Sequence, residues 1–319
     1  MPTVLSPSTL DDALAMMALS HRVAMGAGID LLESIGQGVV TAEAAVSLGG
    51  IAELAGVRTL EDASLQIGGA TTLEMLAGDP VVRARYPLLV SACEAAGPAE
   101  LRARATLGGN LCQRPRCSYF RRNVSCFKHG GDSCPARDGE NRLLAILEGG
   151  PCFVVQRSDV ATALVALDAT IELASVRGTR TVDAAAFFVR PADRLDRETL
   201  LADDEILASV RLPAASAGGV QRFAKIADDG WGFALASIAA TRRTDGDARL
   251  VLGGVSPRPY RVYNSIEEEM ISGGLDEDTI EGLAERALLD AEPLSENAFK
   301  VSLAAQLLRD AIRELAAEP

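Results

Sequence analysis

Histidine is almost missing from this chain of 319 residues: His21 and His129 are the only two. Nothing resembles a nucleophile beside its base, and neither G-x-S-x-G nor H-E-x-x-H occurs, which argues against an ordinary hydrolase. Positive charge is scarce as well. With 31 Lys and Arg against 44 Asp and Glu the formal charge is -13. That balance argues against nucleic acid as a partner, because phosphate binding needs clustered cations that release counterions. An acidic partner surface is disfavoured on the same ground. No run of 18 apolar residues is present, so no membrane span is expected. The first twenty residues carry acids where a secretory leader has its basic region. The chain is therefore expected to be cytoplasmic, reaching the periplasm only if exported with a partner. Repeats and low-complexity tracts are lacking too.

What is present begins with apolar content. At 48% hydrophobic residues the chain can bury a sizeable core, and its length favours two or three compact units. Residues 8–12 cap a first helix over 13–19. A short strand from about residue 21 runs into the turn Gly26-Ala27-Gly28, whose N–H groups can wrap an anion, and helical character resumes after it. Residues 43–70 read as a strand, a turn and a helix begun at Thr71 or Thr72. Residues 80–96 continue as helix, with Cys93 as a small core residue. A helix opens at residues 157–159, where Asp159 is either its cap or an acceptor for a ribose hydroxyl. TIELAS and RTVDAAAFF read as antiparallel strands about a turn at Arg177-Gly178, and EILASVRLP as a strand ending at Pro213. The turn-rich tract 214–219 marks a domain boundary. Three strands follow, of which FALASIAATRR fits a helix as well, and then helices near 265–272, 276–290 and 297–316.

Five of the six cysteines crowd residues 112–152, beside Gly108-Gly109-Asn110. Thiolates are soft ligands for iron-sulfur clusters or zinc, and adjacent glycines let N–H groups approach a phosphate, so one stretch can serve two cofactors. Cys117, Cys126, Cys134 and Cys152 are separated by nine, eight and eighteen positions. Structural zinc sites draw ligands in close pairs from one knuckle, whereas a cubane cluster offers a separate corner to each thiolate, so these spacings suit iron-sulfur better. Cys112 is left to the glycine turn, and His129 reads as an exposed loop residue rather than a ligand. Arg114, Arg116, Arg121, Arg122, Lys128 and Arg137 crowd the same loop. They are either cations that stabilise a net-negative cluster or a solvated basic face.

The segments MGAGIDLL, LQIGGATTLEML, LRARATLGGNLCQRPRC, RSDVATALVALDA, RFAKIADDGWGFALASIAA, GGVSPRPYR and AEPLSENAFKVSLAAQLL resemble, in that order, the FAD-binding medium subunit of molybdenum hydroxylases, the xanthine dehydrogenase and carbon monoxide dehydrogenase group. The resemblance spans nearly the whole chain. The cysteine insertion is similar to that of the 4-hydroxybenzoyl-CoA reductase and periplasmic aldehyde oxidoreductase branch, where it implies a [4Fe-4S] cluster, here on Cys117, Cys126, Cys134 and Cys152. The resemblance further implies FAD. Its first pyrophosphate loop falls on Gly26, Ala27, Gly28, Ile29 and Asp30, with Ala24 and Met25 just before it also expected at the cofactor, and its second on residues 106–110, of which Thr106, Gly108, Gly109 and Asn110 are the contacts. Ser158 and Asp159 correspond to a Ser-Asp near the adenosine end, and Lys225 to a lysine near the isoalloxazine. Ile206 and Leu207 fall where an apolar side chain covers the ring. The first loop departs from the family pattern: Ala27 replaces a glycine, and Ile29 stands where a threonine hydroxyl would reach a phosphate.

The implied fold is α+β, of the vanillyl-alcohol-oxidase (PCMH) type: FAD-binding subdomains over 1–55 and 56–213, with the insertion at about 112–152, then a small sheet-and-helix domain over 214–319. The implied function is an electron-transfer subunit. A molybdopterin-binding large subunit handles the organic substrate, a small subunit with [2Fe-2S] clusters relays electrons, and FAD exchanges them with an external acceptor or donor. No side chain is expected to act as a catalytic acid or base. Two other functions fit parts of the same residues: a stand-alone flavin oxidoreductase of this fold, and a zinc-stabilised interaction subunit that has lost its flavin.

Overall fold

Strand β1 (Thr3–Leu5) opens the chain, followed by α1 (Leu10–Met17), β2 (Arg22–Met25), α2 (Ile29–Gly36) and β3 (Ala44–Ser47) in a computed structural model that describes residues 2–230, 232–272 and 275–317. Trp231, inside one of the segments that carry the resemblance, lies outside the described residues. The three strands form a parallel sheet in the order β1-β3-β2. Thr9 caps α1 by accepting from the Asp12 N–H, as the STLDD pattern predicts. Strand β1 is not anticipated by the sequence. It pairs Thr3 with Ala44, a partner too remote for any local pattern to announce.

Strands β4 (Val57–Thr59) and β5 (Leu65–Gly68) lead to α3 (Leu73–Gly78), α4 (Pro80–Arg85) and α5 (Pro87–Ala95). One helix was expected over 80–96, but Pro87 divides it. A residue before proline is pushed out of the α region, and Tyr86 sits at φ -134°, ψ 56° with its hydroxyl donating to Pro213 O at 2.9 Å. The short helices α6 (Ala99–Arg102), α7 (Leu107–Leu111) and α8 (Ser118–Arg121) precede the cysteine loop, which is largely irregular up to α9 (Asp159–Ala166). Ser158, not Asp159, caps α9: its Oγ accepts from the Ala161 N–H at 2.9 Å. Strands β6 (Thr170–Ser175) and β7 (Gly178–Asp183) make the expected hairpin. The alanine run after Asp183 then leaves the sheet as α10 (Ala184–Phe187), because alanine favours helix and is poor in strands. Strand β8 (Ile206–Leu212) inserts between β5 and β6, completing an antiparallel sheet ordered β4-β5-β8-β6-β7.

The last sheet is β12-β11-β10-β9, from β9 (Val220–Ile226), β10 (Ala236–Arg242), β11 (Ala248–Gly253) and β12 (Tyr260–Arg261), followed by α11 (Asn264–Ile271), α12 (Glu277–Ala287) and α13 (Phe299–Ala317). The ambiguous FALASIAATRR segment contributes β10. Its Ala236, Ile238 and Ala240 join the core beneath α13, while Ala239 joins the core shared with α5 and α9. A strand covered on both faces carries no polar alternation, which is why its period could not be read. Helix α13 buries Leu307, Leu308, Ile312 and Leu315 along one stripe, each contributing roughly 1.5–3 kcal/mol. Among the described residues no helix is long and apolar enough to cross a membrane.

Candidate cofactor site

Two glycine turns meet between the first two sheets. A Cβ on Gly26 would fall 2.3 Å from Thr106 Oγ1, so only glycine lets the first turn lie against the second. Gly28, at φ +77°, starts α2 with no side-chain cap, which leaves the helix's first N–H groups for another acceptor. In the second turn Thr106 caps α7 by accepting from the Gly109 N–H at 3.2 Å, and the Gly108 N–H donates to Gly69 O at 2.8 Å.

A cavity of about 390 Å³ is lined by Ala24, Gly26, Ala27, Gly28, Ile29, Asp30, Thr106, Gly109, Asn110 and Asp159. A second, of about 490 Å³, shares Ala24, Gly26, Thr106 and Gly109 and adds Gly108 and Leu207. The glycine turns thus stand between two cavities. Met25, Ser158, Ile206 and Lys225 line neither. Met25 pairs with Ser47 in the first sheet. Ile206 is buried with Ala13 and Met17, because neighbours on a strand face opposite sides and Leu207 takes the cavity side. Ser158 caps α9 and donates to Asn110 Oδ1.

Lys225 donates to Asp159 Oδ2 at 2.8 Å and to Ala95 O at 2.7 Å. Burial pushes the Asp159 carboxyl up, and the Lys225 charge opposes it. The resemblance assigns Asp159 to the adenosine end and Lys225 to the flavin ring; the structure joins the two in one ion pair. Lys225 and Leu207, both expected beside the ring, are in turn separated, since the Asp159 partner of Lys225 faces the first cavity and Leu207 the second.

Asp30 lines the first cavity with its carboxylate already engaged. It accepts from the Arg114 N–H at 2.7 Å, from Arg121 at 2.6 Å and from Arg116 at 3.0 Å, fastening the start of the cysteine insertion to α2. Arg114, Arg116, Arg157 and Phe233 also line the first cavity, with the guanidinium carbons of Arg116 and Arg157 at 5.3 and 5.8 Å from the Phe233 ring centre. The sequence flagged the first two only as neighbours of cysteines. It held no signal for Arg157 or Phe233, which meet across the boundary between the insertion and the last sheet.

All six cysteines are free thiols. Burial pushes the Cys117 thiol up, and the charges of Cys134 and Cys126 add to it. Burial pushes Cys152 up to about 12, with Lys128 opposing and Cys134 and Cys117 adding. Cys117 thus feels Cys126 and Cys134, and Cys152 feels Cys117 and Cys134. Yet among the described residues no three His, Cys, Asp or Glu side chains gather closely enough to hold a metal ion, so the expected ligand set does not form a compact site. His129 is half-buried rather than exposed: Nε2 lies 2.9 Å from Phe120 O and its ring stacks on Phe120 at 4.8 Å. Nor are the loop's cations simply a solvated face. Lys128, its side chain 1% exposed, pairs with Glu198 at 2.5 Å, and Arg114 pairs with the same carboxylate at 2.8 Å. Cys112 lines both cavities, its thiol pushed by burial to about 12.

Residues 2–215 match the FAD binding domain in molybdopterin dehydrogenase, and residues 225–315 match the CO dehydrogenase flavoprotein C-terminal domain. The aldehyde oxidoreductase FAD-binding subunit PaoB of Escherichia coli (strain K12) is 31% identical over 314 residues, 95% of this chain and 96% of the relative. The structure of carbon monoxide dehydrogenase from Hydrogenophaga pseudoflava lacking the Mo-pyranopterin moiety aligns with TM-score 0.77 at 22% identity, covering 99% of this chain and 97% of that one. Quinoline 2-oxidoreductase from Pseudomonas putida 86 aligns with TM-score 0.76 at 21% identity, with the same coverage. The two structures share the α+β fold expected here. The domain matches over most of the length, together with the identity to PaoB, establish that this chain belongs to the FAD-binding flavoprotein subunits of the multisubunit molybdenum hydroxylases.

Proposed function

We propose that this subunit passes electrons between [2Fe-2S] clusters on a small partner subunit and an external acceptor or donor, while a molybdopterin-binding large subunit works on an aldehyde, an N-heterocycle or an aryl-CoA. Bound FAD supplies the conversion between two-electron and one-electron transfer. The observation that carries this reading is the pair of touching glycine turns between two joined cavities. Backbone N–H groups at Gly26–Ile29 would hold the diphosphate, which asks nothing of side chains and so tolerates Ala27 and Ile29, while the second turn, whose N–H groups at 107–110 donate to Thr71, Gly69 and Thr106, backs the first at Gly26. The residues fit such a group: among the described residues the buried Nε atoms of Arg116 and Arg157 have no hydrogen-bond partner, and both arginines line the first cavity. We place the flavin ring there, beside Phe233 and the Asp159–Lys225 pair, and the adenosine in the second cavity against Leu207. Ser158 then acts indirectly, by holding Asn110.

A [4Fe-4S] cluster on Cys117, Cys126, Cys134 and Cys152 belongs to the same proposal. Four free thiols in one insertion, each within reach of another's charge, support it, and a cluster spreads its thiolates over four corners rather than around one ion. The three sheets draw on residues 3–47, 57–212 and 220–261, which supports dividing the chain into units over 1–55, 56–213 and 214–319. We assign the assembly to the cytoplasm.

Absorption and elemental analysis of the purified full-length chain test the proposal. Yellow flavin absorption with a brown iron-sulfur shoulder, and four irons per chain, are expected. A colourless, zinc-containing protein would overturn both assignments, and flavin without iron would overturn the cluster alone.

A further inference from the structure

A diphosphate carries its charge on two phosphoryl groups, and the two glycine turns do not offer it donors equally. In the second turn each N–H from 107 to 110 is engaged within the protein: Leu107 with Thr71 O, Gly108 with Gly69 O, Gly109 with Thr106 Oγ1 and Asn110 with Thr106 O. The first turn and the uncapped start of α2 remain, and they present only the partial charges of backbone amides. Anions leave water cheaply only where an opposite charge meets them, so a cation is called for where the diphosphate passes.

The lining of the cavities shows which cation is placed for this. Of the residues that line both, only Arg114 is charged. Its backbone N–H is fastened to Asp30 Oδ2 at 2.7 Å, at the start of α2. Its guanidinium forms an ion pair with Glu198 at 2.8 Å, on the wall of the second cavity, and its carbon lies 5.1 Å from the Phe120 ring centre. The side chain is 26% exposed, so a ligand can reach it.

Glu198 does not use up that charge. Lys128, its side chain buried, holds the same carboxylate at 2.5 Å and also donates to Leu195 O at 3.1 Å. Two cations on one carboxylate leave the group positive. The other acids on that wall, Asp196, Asp203 and Glu205, are each paired with an arginine of their own.

We propose that Arg114 binds the diphosphate of FAD, so that the cysteine insertion supplies a cation to the cofactor site. The inference rests on the reading of the two cavities as the FAD site. A guanidinium presents parallel N–H donors that match phosphate oxygens. Asp30 fixes the backbone from which the side chain springs, and Glu198, shared with Lys128, holds the guanidinium beside the junction without cancelling the positive charge.

The test titrates the full-length chain, freed of FAD, with FAD and with riboflavin, which lacks the diphosphate. Arg114→Gln should weaken FAD about tenfold or more, the effect of losing a hydrogen bond between charged groups, and leave riboflavin unchanged. Equal losses for both ligands, or no loss of FAD, overturn the inference. Arg22 lines the second cavity alone, and a loss of FAD affinity from Arg22→Gln as large as that from Arg114→Gln overturns it too, because the effect then belongs to the general charge of the cavity. In the FAD-free wild type, phenylglyoxal should modify Arg114, read by peptide mass spectrometry, and inorganic diphosphate should slow that reaction. A rate that diphosphate leaves unchanged overturns the inference even if Arg114→Gln does not fold. A wild type that binds no FAD defeats the reading of the site itself, whereas equal FAD affinity in wild type and Arg114→Gln defeats the Arg114 inference alone.

Discussion

A single methyl group at position 26 has a consequence that can be followed atom by atom. Gly26→Ala drives a Cβ toward Thr106 Oγ1, and the hydroxyl can escape only by giving up the Gly109 N–H that it caps. Losing such a cap costs about 0.5–2 kcal/mol, which the fold can absorb. The turn that faces the diphosphate cannot, so the variant should purify folded but with markedly less FAD per chain, read from flavin absorbance after denaturation. Lys225→Met acts differently. It leaves Asp159, 4% exposed, as a buried carboxylate without its cation, a loss on the order of 3–5 kcal/mol in urea unfolding. Adding Asp159→Asn should recover part of that loss, because the second change removes the stranded charge. Additive losses in the double variant would show that the pair is not coupled.

Among the elements, α2 and the cysteine insertion depend on one carboxylate. Asp30 accepts from a backbone N–H and two guanidinium groups of the insertion, so Asp30→Asn should loosen residues 112–152 while leaving the last sheet intact. Limited proteolysis is the direct measure: cleavage in that segment should quicken severalfold, and unchanged cleavage would show that the insertion is held by something else. In the last domain, Ile312→Ala opens a cavity under β10, where Ile312 is fully buried. The expected cost is about 2–5 kcal/mol, read from the urea midpoint. The helices of that domain were legible because each keeps one apolar stripe. Strand β10 was not, since α13 and α9 cover its two faces and erase the alternation.

For the molecule as a whole, Lys300 links stability to pH. Burial lowers its pKa from the ordinary value of 10.5 to about 7. Below pH 7 both folded and unfolded chains carry the proton, and the folded state bears the full burial penalty. Between pH 7 and 10.5 the unfolded chain binds more protons, so stability rises with pH through that window. Thermal unfolding of wild type and Lys300→Met should therefore converge or cross in favour of the wild type as pH goes from 7 to 9. Parallel curves would mean that the lysine does not titrate there. The penalty is tolerated because Lys300 satisfies Leu144 O and Gly254 O, joining the insertion's exit arm to the last sheet.

What the order of residues determined unaided was local. The cap at Thr9, the helix start at Thr72, the bends at Gly26-Ala27-Gly28 and Gly108-Gly109, and the break after Pro213 each act over three or four residues, a range within which residue type and spacing decide conformation. The likeness to the flavoprotein family was readable from the same short segments. Only the tertiary structure decided which of those pieces share a place. It joined Asp159 to Lys225, turned Ile206 into the core and Leu207 toward a cavity, and spent Asp30 on three donors. Such outcomes depend on groups dozens of residues apart whose desolvation must be balanced where they meet, and that balance is set by packing rather than by any pattern along the chain.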